Sequence, residues 1–252
     1  MLLSSQWRGG STLCEGLLFL TASEPLFLLD EPAFAYARLH LAKQAVIPPR
    51  LFPLVPIANS EALRCEFGGF NPSRLLEWQA ERARLSGNHE IDFGAFNELR
   101  HSCLVHAPRA RALKTIRMTG WLQTYQEVCA RDQPIGGCRA VLLVRHPASI
   151  VRSRLAALWP SRSSPPASIR SRPELQMEVI CSRMLQDVRS VMNSSNHGKT
   201  LLIKYPDLIQ DPRRVAQEAH AHLGLSTSPH LLNDFIQKHF GVRSAALTAH
   251  CS

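Results

Sequence analysis

The chain has 252 residues, 45 % of them apolar, enough to bury a core in one domain or at most two small ones. Seventeen prolines and thirteen glycines fall short of a low-complexity composition, and no repeat of about twenty to fifty residues is visible, which argues against a solenoid or propeller. The net charge of +9, mostly arginine scattered without a block of like charges, excludes a basic tail and points to polyanionic partners such as a nucleotide, an acidic glycan, anionic lipid or nucleic acid.

Leu2 to Trp7 reads as a short strand, and Arg8-Gly9-Gly10-Ser11-Thr12 as a glycine turn that opens a helix running to Thr21. Glu15 and Gly16 interrupt the apolar residues of that helix, so it is too short and too polar to span a bilayer, and no cleavage site follows it. A second strand, Leu26 to Leu29, ends at Asp30-Glu31-Pro32. Between Ala33 and about Arg111 the pattern weakens: Pro48-Pro49 and Pro53 to Pro56 mark loops, Pro72 to about Leu85 a helix, and Gly87 to Gly94 a turn-rich patch. Leu113 to Met118 is the next strand, with a helix from about Gly120 to Arg131.

Ala140 to Val144 is a continuous apolar run, the signature of a parallel strand buried on both faces. Pro147 suits a first helical turn, and Ile150, Val151, Leu155 and Leu158 supply the helical stripe. Ser161 to Pro173 reads as a basic loop and Glu174 to Met192 as a helix. Thr200 to Tyr205 is the last strand. Asp211 as N-cap, Pro212 at the first helical position and Gly224 as stop define the helix after it, and a final helix spans about Pro229 to His239. Strands alternating with helices predict an α/β fold with a central, mainly parallel β-sheet flanked by helices, whose ligands bind at the carboxyl ends of the strands.

Polar residues collect at those ends. In Arg8 to Thr12 the glycine pair lets the backbone approach a bound group, Ser11 and Thr12 add hydroxyl donors, and the helix N-terminus adds about half a positive charge. Arg8 supplies a permanent cation with a planar donor fork. Arg145 emerges at the end of the strand Ala140 to Val144, and Ser153, eight residues on, lies roughly 10 Å along the following helix. A chain that doubles back there can bring both onto one phosphate.

Arg8, Ser11 and Arg145 with Ser153 together resemble the Golgi carbohydrate sulfotransferases, the group that acts at the 6-hydroxyl of galactose, N-acetylglucosamine or N-acetylgalactosamine. Their phosphosulfate loop, approximately R-S-G-S-S, is matched by Arg8 to Thr12, and their strand ending in glutamate-proline by Glu31-Pro32. Leu143 to Arg154 is similar to L-V-R-D-P-R-x-x-x-x-S-R, with His146 in place of the aspartate. Lys114-Thr115-Ile116-Arg117 looks like K-x-x-R, and Lys204 to Leu208 with Asp211-Pro212 like R-Y-E-D-L…D-P, followed by Leu223-Gly224-Leu225.

The resemblance covers about residues 2 to 240. It implies one sulfotransferase domain over 1–252 with a P-loop-like fold. It also implies sulfuryl transfer from the nucleotide PAPS (3′-phosphoadenosine 5′-phosphosulfate) to a carbohydrate hydroxyl, without a metal. Gly9, Gly10, Ser11 and Thr12 would hold the 5′-phosphosulfate with Arg8, Arg145 and Ser153 the 3′-phosphate, while Arg8 stabilises the leaving oxygen and Glu31 accepts the acceptor's proton. The expected partner is a glycan, an acidic one being able to contact Arg152, Arg154, Arg162, Arg170 and Arg172, and the expected compartment is the Golgi lumen. Full-length family members carry an N-terminal membrane anchor and a further C-terminal segment, which this chain is expected to lack.

Seven cysteines without a C-x-x-C pair predict no zinc site, and their odd number leaves at least one thiol unpaired, although one or two disulfides would suit a secretory compartment. His220 and His222, two apart on a helix, point to different sides and read as ordinary core or surface histidines, as do His101 and His106. Two other readings compete. Gly198-Lys199-Thr200 ends like the phosphate loop of a nucleotide kinase, but Asn193 stands where that motif needs glycine, and a strand follows instead of a helix. A catalytically degenerate relic that binds PAPS or glycan would keep nucleotide affinity without transfer. A nucleic-acid binder has charge in its favour but no helix-turn-helix, zinc-finger or RNP signature.

Overall fold

The apolar run Ala140–Val144 forms β4, and its alternating side chains divide between two cores: Ala140 and Leu142 enter one, Val141 and Leu143 the other. This computed structural model describes residues 2–5, 10–24, 26–30, 32–36, 54–86, 96–105, 111–115, 122, 139–158, 173–192 and 199–248. The strands are β1 (Leu2–Ser5), β2 (Phe27–Asp30), β3 (Arg111–Thr115), β4 and β5 (Thr200–Lys204). They form one sheet in the order β2-β3-β1-β4-β5, and every neighbouring pair described is parallel.

The helices are α1 (Ser11–Phe19), α2 (Leu54–Leu63), α3 (Pro72–Ser86), α4 (Phe96–Val105), α5 (Pro147–Leu158), α6 (Pro173–Met192), α7 (Tyr205–Gln210), α8 (Pro212–Leu223) and α9 (Pro229–Thr248). One core joins Phe27, Leu29, Leu113 and Ala140 to α2, α3 and α4. The other joins Leu3, Ala112, Val141 and Ile203 to α1, α8 and α9. Helices thus cover both faces, as near-continuous apolar strands require.

Element ends follow local chemistry. Asp211 caps α8 by accepting a hydrogen bond from the Arg214 N–H at 3.1 Å, Pro212 opens the helix, and Gly224 closes it in the left-handed region at φ 72°. The expectation of a loop at Pro53 to Pro56 is corrected: α2 begins at Leu54 and contains Pro56 in its first turn, where a missing N–H deprives the helix of nothing. α4 had no sequence signal assigned to it. Tyr205 opens α7 rather than ending β5, and α9 extends nine residues past His239, to Thr248. Of the expected helix from Gly120 to Arg131 only Leu122 is among the described residues, helical and buried in the first core, and the loop from Ser161 lies outside them.

Cys65 and Cys103 form a disulfide, Cα atoms 5.9 Å apart, that ties the turn after α2 to α4 across 38 residues. Cys14 is a buried free thiol, pushed up to about 12 by burial and by the neighbouring Glu15 carboxylate. No described helix is long and apolar enough to cross a membrane.

Candidate functional site

In a parallel sheet all carboxyl ends lie along one edge. Here that edge carries the start of α1 after β1, the chain after Asp30 of β2, Arg145 after β4 and Tyr205 after β5. The central β1 is where the chain order reverses, with β3 and β2 on one side and β4 and β5 on the other. Ligand crevices in open α/β sheets form at such a switch point.

Gly10 is the N-cap of α1, and its backbone is left-handed at φ 94° and ψ 15°. Its carbonyl accepts the Cys14 N–H at 3.1 Å, starting the helix, but it has no side chain with which to cap the first-turn amides, and no acidic residue sits in that turn. The helix end therefore keeps its positive character toward the carboxyl edge. Ser11 is buried and Thr12 exposed. Arg8 and Gly9, expected in the same cradle, lie outside the described residues, as does Glu31 after β2.

Arg145 follows β4 directly and Ser153 lies on α5. β4 and β5 pair with Val144 opposite Lys204, so Arg145 and Tyr205 leave the sheet at the same level. The guanidinium carbon of Arg145 lies 4.4 Å from the centre of the Tyr205 ring, within cation–π range. The same ring lies against Gly10: a Cβ there would stand 2.6 Å from Tyr205 Cδ2. One aromatic side chain therefore touches both the start of α1 and Arg145, which brings together two of the places the sequence reading singled out.

Lys114 of β3 and Glu15 of α1 form a buried ion pair at 2.7 Å, with side chains 1 % and 8 % exposed. Sequence reading noted Lys114 within a motif and Glu15 as an interruption. The signal was a cation between apolar and small residues in a strand and a lone carboxylate in an apolar helix, each needing a partner once buried. His220 diverges from His222 as its spacing predicts. Its Nε2 donates to the Leu18 carbonyl at 2.6 Å and its Nδ1 accepts from the Thr227 hydroxyl at 2.7 Å, while His222 Nε2 bonds the Ala140 carbonyl at 3.1 Å. Burial holds both histidines below the usual range. Lys199 and Thr200 lead into a strand, unlike a kinase phosphate loop. Among the described residues no three His, Cys, Asp or Glu side chains converge.

Comparison with solved structures identifies the fold. Mouse sulfotransferase SULT7A1 complexed with PAP is similar over 94 % of this chain and 62 % of its own, with a TM-score of 0.50 and 12 % identity. A sulfotransferase from Alicyclobacillus acidocaldarius is similar over 98 % of this chain and 93 % of its own, with a TM-score of 0.51 and 14 % identity. The fold is the α/β, P-loop-like sulfotransferase fold. Within it, residues 136–241 match the Sulfotransferase domain family, a span that includes Arg145, Ser153 and Tyr205. The chain spans less than two thirds of the mouse chain, and no curated protein sequence matches it.

Proposed function

We propose that the protein is a sulfotransferase that moves a sulfuryl group from PAPS to a carbohydrate hydroxyl. The observation that carries this reading is the contact of the Tyr205 ring with both Gly10 and Arg145 at the switch point of the sheet. An uncapped helix start and an arginine held that close suit the two phosphate-bearing ends of one nucleotide. The mouse neighbour contains PAP, which is PAPS without its sulfuryl group.

PAPS supplies an activated sulfuryl group, and the protein supplies position and charge. Gly10, Ser11 and Thr12, with Gly9, hold the 5′ end through backbone N–H and hydroxyl donors, and Arg145 with Ser153 holds the 3′-phosphate. Arg8, always protonated, stabilises charge on the leaving oxygen, and Glu31 takes the proton of the acceptor hydroxyl. The basic balance of the chain favours an acidic glycan acceptor, and the Cys65–Cys103 disulfide favours an oxidising compartment such as the Golgi lumen.

Titration with PAP and with ATP, followed by incubation with labelled PAPS and a panel of desulfated glycans, simple alcohols and phenols, tests the reading. PAP binding with label transferred to glycan is expected. ATP binding without PAP binding overturns the donor assignment, and label transferred only to non-sugar hydroxyls overturns the acceptor. Glu31→Gln is expected to abolish transfer with PAP affinity unchanged. PAP binding without transfer by the unaltered chain identifies a binding relic.

A further inference from the structure

Tyr36 is 2 % exposed and stands just past the 3-10 turn Pro32–Ala35, which begins one residue after β2, with Glu31 between them in the sequence. Its N–H donates to the Ala33 carbonyl at 3.2 Å, and the Asn71 N–H donates to the Ala35 carbonyl at 2.8 Å. Its ring meets Phe70 edge to face, centroids 5.1 Å apart. The Tyr36 hydroxyl donates to Glu61 Oε1 of α2 at 3.1 Å. Gly69 makes way for both partners: a Cβ there would stand 2.5 Å from Tyr36 Cε2 and 2.8 Å from Glu61 Oε2.

Packing alone asks for none of this polarity. Phenylalanine would give Phe70 the same ring contact. A carboxylate is also poorly placed at Glu61, in the last turn of α2, where the helix dipole is negative and no basic residue lies. The Glu61 carbonyl accepts from the Arg64 and Glu66 N–H groups at 3.1 and 2.9 Å, so the helix closes through its backbone without this side chain. What the pair adds is a directional tie from α2 to the chain just past Glu31.

We infer that Tyr36 and Glu61 are positioning residues, whose hydrogen bond fixes the chain after β2 so that the Glu31 carboxylate meets the acceptor hydroxyl. The inference rests on the proposed role of Glu31. In that step the acceptor oxygen bonds to sulfur, the sulfur–oxygen bond to PAP breaks and the hydroxyl proton passes to Glu31. A base displaced by about 1 Å costs rate while both substrates still bind.

Steady-state transfer from labelled PAPS to the glycan of the panel that takes up most label tests this, with PAP affinity by calorimetry and the urea midpoint of each variant. Tyr36→Phe is expected to lower kcat about five- to fiftyfold, with acceptor KM and PAP affinity within about twofold. Glu61→Leu should match it, whereas Glu61→Gln, which keeps an oxygen to accept the phenol hydrogen, should stay within about threefold of the unaltered chain. Tyr36→Phe with Glu61→Leu should lose no more than about twofold beyond either single change. An unchanged kcat in either single variant would overturn the inference. So would a raised acceptor KM at constant kcat, PAP binding weakened in step with kcat, or Glu61→Gln as slow as Glu61→Leu. Where Tyr36→Phe does not fold, the comparison of Glu61→Gln with Glu61→Leu decides by the same criteria. Transfer that survives Glu31→Gln removes the base, and no transfer by the unaltered chain removes the proposed function. Either takes this inference with it, but both are read with Tyr36 and Glu61 intact and are thereby distinct from its own failure.

Discussion

Gly10 meets two demands that no other residue meets together. Its φ of 94° lies where a Cβ is strained, and the space a Cβ would need is filled by the Tyr205 ring. Gly10→Ala is therefore expected to lower stability by about 1–3 kcal/mol and to weaken PAP binding, read by urea midpoint and calorimetry. His220 makes a pH prediction at the same scale. It is 1 % exposed, it spends its two ring nitrogens on Leu18 and Thr227, and burial lowers its proton affinity below that of the unfolded chain, against the opposing pull of the nearby Glu24 carboxylate. With the folded value depressed, the unfolded chain binds more protons. The contribution is complete above the unfolded value near 6.5 and is lost as pH falls below it. His222 and His239 are shifted the same way, so His220→Gln should make the loss of stability between pH 7 and pH 5 shallower without abolishing it. An unchanged slope of urea midpoint against pH would refute the assignment.

Among the elements, α1 bears most directly on the site, because its first turn faces the carboxyl edge. It is fixed from below by Glu15 to Lys114 and from its side by Gly16, where a Cβ would come within 2.7 Å of the Phe235 ring of α9. A buried pair broken on one side leaves an uncompensated charge. Lys114→Met should thus cost about 3–5 kcal/mol, and Lys114→Met with Glu15→Leu should recover much of that. Urea denaturation of the single and double variants measures it, and additive losses would count against a coupled pair. The sequence shows why α1 begins where it does but not what holds it. Glu15 and Gly16 look like flaws in an apolar helix until β3 and α9 are packed against it. α2 escaped detection for a related reason: proline is a local stop signal, and only the chain's actual entry into the helix shows that Pro56 falls in the first turn.

At the scale of the molecule, the disulfide links the turn after α2 to α4, two helices of the same face, and both sulfurs are buried. Closing a loop of 38 residues is worth about 4 kcal/mol in the chain-entropy account, so reduction under mild denaturation should lower Tm by on the order of 10 °C. Scanning calorimetry with and without reductant checks this, with Cys103→Ser as the genetic counterpart. An unchanged Tm would remove the bond from any part in stability.

Local chemistry was enough for β4, α5 and α8, because an unbroken apolar run, a proline at a helix start and an aspartate cap with a glycine stop act over a few residues. It also marked Gly10 to Thr12, Arg145 and Ser153 as anion-binding types. Tertiary structure alone decided that β1 lies between β3 and β4, that Lys114 finds Glu15, and that Tyr205 stands between Gly10 and Arg145. Those are contacts between residues about 60 to 200 positions apart along the chain, set by strand order and register, and no short-range pattern encodes which distant partner a buried charge or an aromatic ring will meet.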